Sequence, residues 1–121
     1  MRRELLLSFA AALVMLAPAF GADITGTWTA SFDTQIGVQN YTYTFKVEGN
    51  KLTGTAKSDN VTSQISDGTV NGDDVSFVEN LDFQGMPLRI VYKGKVSGDE
   101  IKFTRVVLEM ITEELVAKRA K

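Results

Sequence analysis

The sequence predicts an all-β fold, an eight-stranded antiparallel up-and-down meander barrel. Three observations carry the prediction. Apolar and polar residues alternate with a period of two from Gly26 onward, the signature of strands with one buried face. Glycine followed by Asn or Asp recurs between the alternating runs, at Gly49-Asn50, Gly72-Asp73 and Gly98-Asp99, 23 and 26 residues apart. The chain is 121 residues long with 44% hydrophobic residues, enough for one domain with a small core.

In the first run, Gly26, Trp28, Ala30 and Phe32 share one face, and Thr27, Thr29, Ser31 and Asp33 the other. The second sets Tyr41, Tyr43, Phe45 and Val47 against Thr42, Thr44, Lys46 and Glu48. Leu52-Gly54-Ala56 forms the third. The stretch from Asn60 to Val70 is poorly patterned but must contain the fourth. Val75, Phe77, Glu79, Leu81 and Phe83 share the inward parity of the fifth, and Leu88, Ile90, Tyr92, Gly94 and Val96 that of the sixth. Ile101 and Phe103 mark the seventh. The expected strands are 26–33, 40–48, 51–57, 63–70, 74–83, 87–96, 100–107 and 112–119.

Each Gly-Asn or Gly-Asp corner fits a type II′ hairpin, in which glycine supplies the positive φ of the first central position. Gln84-Gly85 is a fourth hairpin site. Corners separated by two strands and their connections make the chain run up and down without crossovers, and eight strands close into a barrel that side chains can fill or that holds one small ligand. The last segment is ambiguous, because Leu108, Ile111 and Leu115 could form a helical stripe among helix formers. The alternative architecture is therefore a β-sandwich with a C-terminal helix.

Residues 1–22 read as a signal peptide, with Arg2 and Arg3 before an apolar run from Leu5 to Leu16 and small-x-small sites at Ala17-Pro18-Ala19 and Ala19-Phe20-Gly21. Cleavage is expected between Phe20 and Asp23, leaving a 23–121 β-barrel domain that is secreted or periplasmic, with no membrane association after cleavage. The apolar run is shorter than the ~20 residues of a membrane span. Formal charge is −2, or −3 without Arg2, Arg3 and Glu4, and no basic stripe suits nucleic acid. The chain contains neither cysteine nor histidine. That composition excludes disulfides, thiol nucleophiles, histidine acid/base chemistry and the usual zinc ligand sets. No cofactor or metal is expected. The acidic pairs Asp73-Asp74 and Asp99-Glu100 are explained by turn chemistry.

Ile24-Thr25-Gly26-Thr27-Trp28, followed by Leu52-Thr53-Gly54-Thr55, resembles the opening of avidin-like barrels. Gly26-x-Trp28 with an arginine near the C-terminus is similar to the signature shared by avidins, lipocalins and fatty-acid-binding proteins. The resemblance implies a structural role for Gly26, Trp28 and Arg119, with the tryptophan plugging one barrel end and the arginine packed across it. Biotin binding is not implied, because Trp28 is the sole tryptophan, and the lipocalin disulfide is missing. A broader resemblance rests on Gly26-Thr27-Trp28, Asp33-Thr34-Gln35, Tyr41 to Val47, Phe77-Val78-Glu79-Asn80-Leu81, Phe83-Gln84-Gly85, Gly98 to Arg105 and Glu114 to Arg119. These segments look like a group of exported bacterial β-barrel modules that occur alone or attached to secreted glycoside hydrolases, some named endo-xylanase. It implies a setting near extracellular polysaccharide.

Glu79 falls at an inward parity between Phe77 and Leu81, and Arg105 and Arg119 also count as inward. A buried charge needs a partner. One reading is an interior ion pair plus an arginine stacked on Trp28. The other makes Glu79 and Arg105, framed by Tyr41, Tyr43, Tyr92 and Phe103, the ligand-binding anchors of a small pocket. The expectation is a non-enzymatic barrel binding a small apolar or carbohydrate ligand, or serving as an accessory module. A small xylanase-like glycosidase is the alternative, with Glu79 as the catalytic candidate. It requires a second carboxylate, for which Asp33, Asp82 and Glu114 are the guesses, and period-two counting sends Asp33 and Asp82 outward. A structural or protein-interaction role is the third class, favoured by an uncovered strand edge.

Overall fold

The computed structural model describes residues 22–59 and 61–120. The expected signal peptide lies outside the described residues, except for Ala22. Eight strands follow in order: β1 (Gly26–Thr34), β2 (Gly37–Glu48), β3 (Lys51–Ser58), β4 (Val61–Asn71), β5 (Asp74–Phe83), β6 (Met86–Ser97), β7 (Glu100–Val107) and β8 (Ile111–Arg119). Each pairs antiparallel with the next, and β8 returns to β1 to close the barrel. The C-terminal segment is thus a strand: Glu100↔Lys118 through Val107↔Ile111 pairs it with β7, burying Leu115 and Ala117. Strong helix formers yield here because a free β7 edge and a closing interior reward the extended form.

Gly49, Gly72 and Gly98 have positive φ (64°, 59° and 61°), while the Asn or Asp after each does not, the pattern of a type II′ corner. Gln84 and Gly85 both have positive φ (54° and 84°), so the fourth hairpin turns by the type I′ route.

The poor alternation in β4 has a structural cause. Register shifts between Ser66 and Thr69, so Ser63 and Ile65 point inward before the bulge and Val70 after it. The same bulge shows against β3, where Leu52↔Gly68 and Thr55↔Gln64 set three positions of β3 against four of β4. At Gly68 an added Cβ would stand 2.2 Å from the Leu52 carbonyl oxygen, so only glycine fits there.

The interior is aromatic. Phe32, Tyr41, Tyr43 and Phe45 form a stacked row with centroids 5.4–5.7 Å apart, and Phe77 stacks on Tyr92 at 4.4 Å. Phe103 meets Phe77 and Tyr92 edge-on, a favourable geometry for ring quadrupoles. Phe83 departs from its expected inward position: it is 42% exposed, because β5 has run past the packed interior by that point.

Closure is uneven. β1 pairs with β2 along its whole length, from Gly26↔Phe45 to Thr34↔Gly37, yet its ladder with β8 holds just Trp28↔Arg119 and Thr29↔Lys118, continued at the terminal end by the Ala120 N–H on the Thr27 carbonyl at 2.8 Å. Beyond those pairs β1 and β8 splay apart. The turns β2–β3, β4–β5 and β6–β7 lie with Ala22 and Arg119 at what we call the terminal end; the other four turns form the distal end.

Candidate functional site

At the terminal end Trp28 is fully buried and donates its indole N–H to the Ile24 carbonyl at 2.9 Å. The Arg119 guanidinium carbon lies 4.5 Å from the Trp28 ring centroid. Its Nη1 and Nη2 donate to the carbonyls of Thr25 (3.2 Å) and Asp23 (3.3 Å), and Nε contacts Asp99 Oδ1 at 3.2 Å. Gly26 beneath it has φ +134°, a backbone conformation that side chains rarely adopt, while a Cβ there would meet Arg119 Nη1 at an ordinary contact distance of 3.5 Å. Trp28 thus lies buried at this end with Arg119 across it, and Arg119 makes no contact with Glu79.

The interior charge cluster sits toward the distal end. Glu79 on β5 is fully buried, and Arg105 on β7 is 4% exposed. Tyr41 Oη donates to Glu79 Oε2 at 3.0 Å, and Tyr92 Oη donates to Oε1 at 2.8 Å. Arg105 Nη1 donates to Tyr92 Oη at 2.7 Å and lies 3.8 Å from Glu79 Oε1. Because the Tyr92 proton is committed to Glu79, Tyr43 must be the donor in the 2.9 Å Tyr43–Tyr92 contact. Tyr92 Oη thus accepts twice and donates once, which exhausts its capacity. Two of the chain's three tyrosines thus bond this carboxylate directly, and Tyr43 reaches it through Tyr92. Phe103 packs behind them without a polar contact to the cluster.

Two members escaped the sequence reading. Glu113 on β8 has its Oε1 2.9 Å from Arg105 Nε, and its side chain is 10% exposed. The contact is too poorly aligned to count as a hydrogen bond, so both atoms lack one. The signal was available: Glu113 shares parity with Leu115, Ala117 and Arg119, but only once the segment is taken as a strand. Glu114, the expected neighbour, is exposed, as are Asp33 and Asp82. Ser63 was hidden by the β4 bulge. Its hydroxyl is buried and completes no hydrogen bond.

Burial governs the ionisation here. Desolvation raises the Glu79 pKa, opposed by Arg105 and by hydrogen bonds from Tyr92 and Tyr41. Burial, reinforced by the nearby Glu79 charge, pushes Tyr41 up to about 12. Tyr43 and Tyr92 are raised further, desolvation leading in both. The guanidinium of Arg105 also stands 5.0–5.4 Å from the ring centroids of Phe32, Tyr41 and Tyr92, a cation–π enclosure on three sides.

Where β1 and β8 splay, a cleft of about 730 Å³ opens. Phe32, Tyr41 and Leu115 reach it from the interior, while Ser31, Asn40 and Lys118 border it from outside. Tyr41 therefore belongs to both the cleft and the buried cluster, and links one to the other.

The fold and site define a single-layer, closed meander barrel with a buried Glu–Arg–Glu cluster and one incomplete seam. Comparison with family models, with curated proteins and with solved structures finds no match to this chain.

Proposed function

We propose that this chain is a secreted or periplasmic, non-enzymatic binding barrel that takes a small apolar or carbohydrate ligand along the splayed β1–β8 seam. One observation carries the reading: the seam cleft joins an aromatic and aliphatic wall, Phe32, Tyr41 and Leu115, to a polar border that includes Ser31, Asn40 and Lys118. Concave sites that combine apolar area with a few convergent polar groups are the common form of small-molecule sites. A sugar ring offers both kinds of surface. The export pattern at the N-terminus and the resemblance to polysaccharide-associated modules support an extracellular accessory role.

Hydrolysis is the weaker reading. Two carboxylates can cleave a glycoside only if the scissile bond lies between them. Here Glu79 and Glu113 both contact Arg105, which stands where a substrate would have to be, and Glu79 is sealed beneath two tyrosine hydroxyls. The cluster is better suited to holding Tyr41 rigidly at the base of the cleft.

The test is an NMR titration of the mature protein with xylo-oligosaccharides, cello-oligosaccharides and a short alkyl glycoside. Expected are saturable shifts in the backbone amides of Ala30–Phe32 and Glu114–Val116. Absence of shifts at millimolar ligand, or shifts confined to the turns, would sink the proposal.

A further inference from the structure

Among the described residues, seven of the eight exposed large apolar side chains lie in or beside the distal turns, and Val116 on β8 is the exception. Ile36 sits in the β1–β2 turn at 70% exposure, and Met110 in the β7–β8 turn, beside exposed Leu108, at 80%. Phe83 and Met86 flank the β5–β6 turn, and Val61 follows the β3–β4 turn. Every turn of the distal end thus carries one or two, while no large apolar residue is exposed in the Gly-Asn and Gly-Asp corners of the terminal end. Turns are ordinarily polar, and isolated exposed apolar residues need no explanation, but a ring of them on four successive hairpins forms a surface.

Charge around this surface is also one-sided. An exposed acid accompanies each apolar tip: Asp33 before Ile36, Asp59 before Val61, Asp82 next to Phe83, and Glu109 between Leu108 and Met110. Asp82 also accepts from the Gly85 amide at 2.9 Å and so has a turn role, whereas among the described residues the others make no such bond. Among the described residues none of these four acids takes part in an ion pair, in contrast to Asp74 and Asp99 at the terminal end, which pair with Lys95 (2.9 Å) and Arg119 (3.2 Å). Exposed Lys57 and Arg89 are the cations nearest the distal turns and leave the rim net acidic.

We infer that the distal end is a docking surface for a polypeptide partner that presents apolar side chains flanked by lysine or arginine. The charge pattern selects this occupant. An anionic membrane would be repelled by the acidic rim, and a second copy meeting end to end would bring like charges together. A cationic, amphipathic polypeptide satisfies the apolar tips and the acids at once. This surface is independent of the seam cleft, and its failure would leave the ligand reading untouched.

The experiment is fluorescence anisotropy of a labelled synthetic Leu/Lys amphipathic peptide against the mature protein, with a Leu/Glu peptide of the same pattern as control. Sedimentation with phosphatidylcholine and phosphatidylglycerol vesicles runs in parallel. The Leu/Lys peptide is expected to bind, to weaken as salt is raised, and to lose about tenfold or more in affinity in an Ile36→Ser/Met110→Ser double variant. Asp33→Asn/Glu109→Gln should weaken binding while leaving the apolar tips intact, and circular dichroism checks that both variants fold. No binding of the Leu/Lys peptide, equal binding of the Leu/Glu peptide, indifference to both variants, or preferential sedimentation with either vesicle would overturn the inference.

Discussion

At the terminal end an arginine lies over an aromatic ring at the barrel rim, a third exposed and held to carbonyls and one aspartate; toward the distal end another arginine lies among three rings in the interior, held between two glutamates. Arg119 closes a plug: its neighbours are backbone, and the corners around it are polar. Arg105 cannot be relieved by water, so its position dictates where Glu79, Glu113 and the tyrosines must stand. The same side chain is an accessory at one end and an organising charge at the other. Solvent access makes the difference.

Four substitutions or titrations would break or sharpen that contrast. Trp28→Ala should be the most damaging, costing about 3–5 kcal/mol in urea unfolding, because it empties the plug and removes the indole bond to Ile24. A loss under about 1 kcal/mol would mean that the terminal end closes without its plug. Arg105→Ala should cost about 3 kcal/mol by leaving Glu79 buried without its cation, and adding Glu79→Gln should recover part of that loss. If the double variant is no better than the single one, the two residues are not coupled.

The third effect is a pH dependence. The folded Glu79 pKa is raised above its ordinary 4.5, so folding takes up a proton between that value and the raised one. The contribution of Glu79 to stability is therefore fully present below about pH 4.5 and is lost as pH rises through the folded pKa. Glu79→Gln should flatten this part of the stability curve, measured as the urea midpoint between about pH 4 and 8 relative to the parent protein. Parallel curves would remove Glu79 as the titrating group. The smallest effect is expected for Arg119→Ala, about 0.5–1 kcal/mol, since its side chain is 34% exposed and its ion pair with Asp99 is screened by solvent. A loss as large as that for Arg105→Ala would erase the distinction between the two ends.

Much of this architecture was legible in the residues. The alternation on β1, β2, β5 and β6 assigned the aromatic interior, and the glycine corners assigned three turns, because both depend on local geometry that a few neighbouring residues specify. Glu79 and Arg105 were recognisable as inward charges for the same reason. Glu113 and Ser63 were not, since one lay in a segment with helical propensity and the other ahead of a bulge that reverses parity. Phe83 was assigned inward because period-two counting carries no information on where a strand leaves the barrel.

Periodicity and turn chemistry alone therefore determined the antiparallel order and the inward face of most strands, while the pairing with β7 decided that the last segment is the eighth strand. Only the tertiary structure decided which arginine reaches Glu79, that a second glutamate joins it, and that β1 and β8 separate after two residue pairs. The physical reason is range. Hydrogen bonding within a hairpin is set by residues a few positions apart, whereas the closing seam and the buried charges depend on groups brought together from opposite ends of the chain.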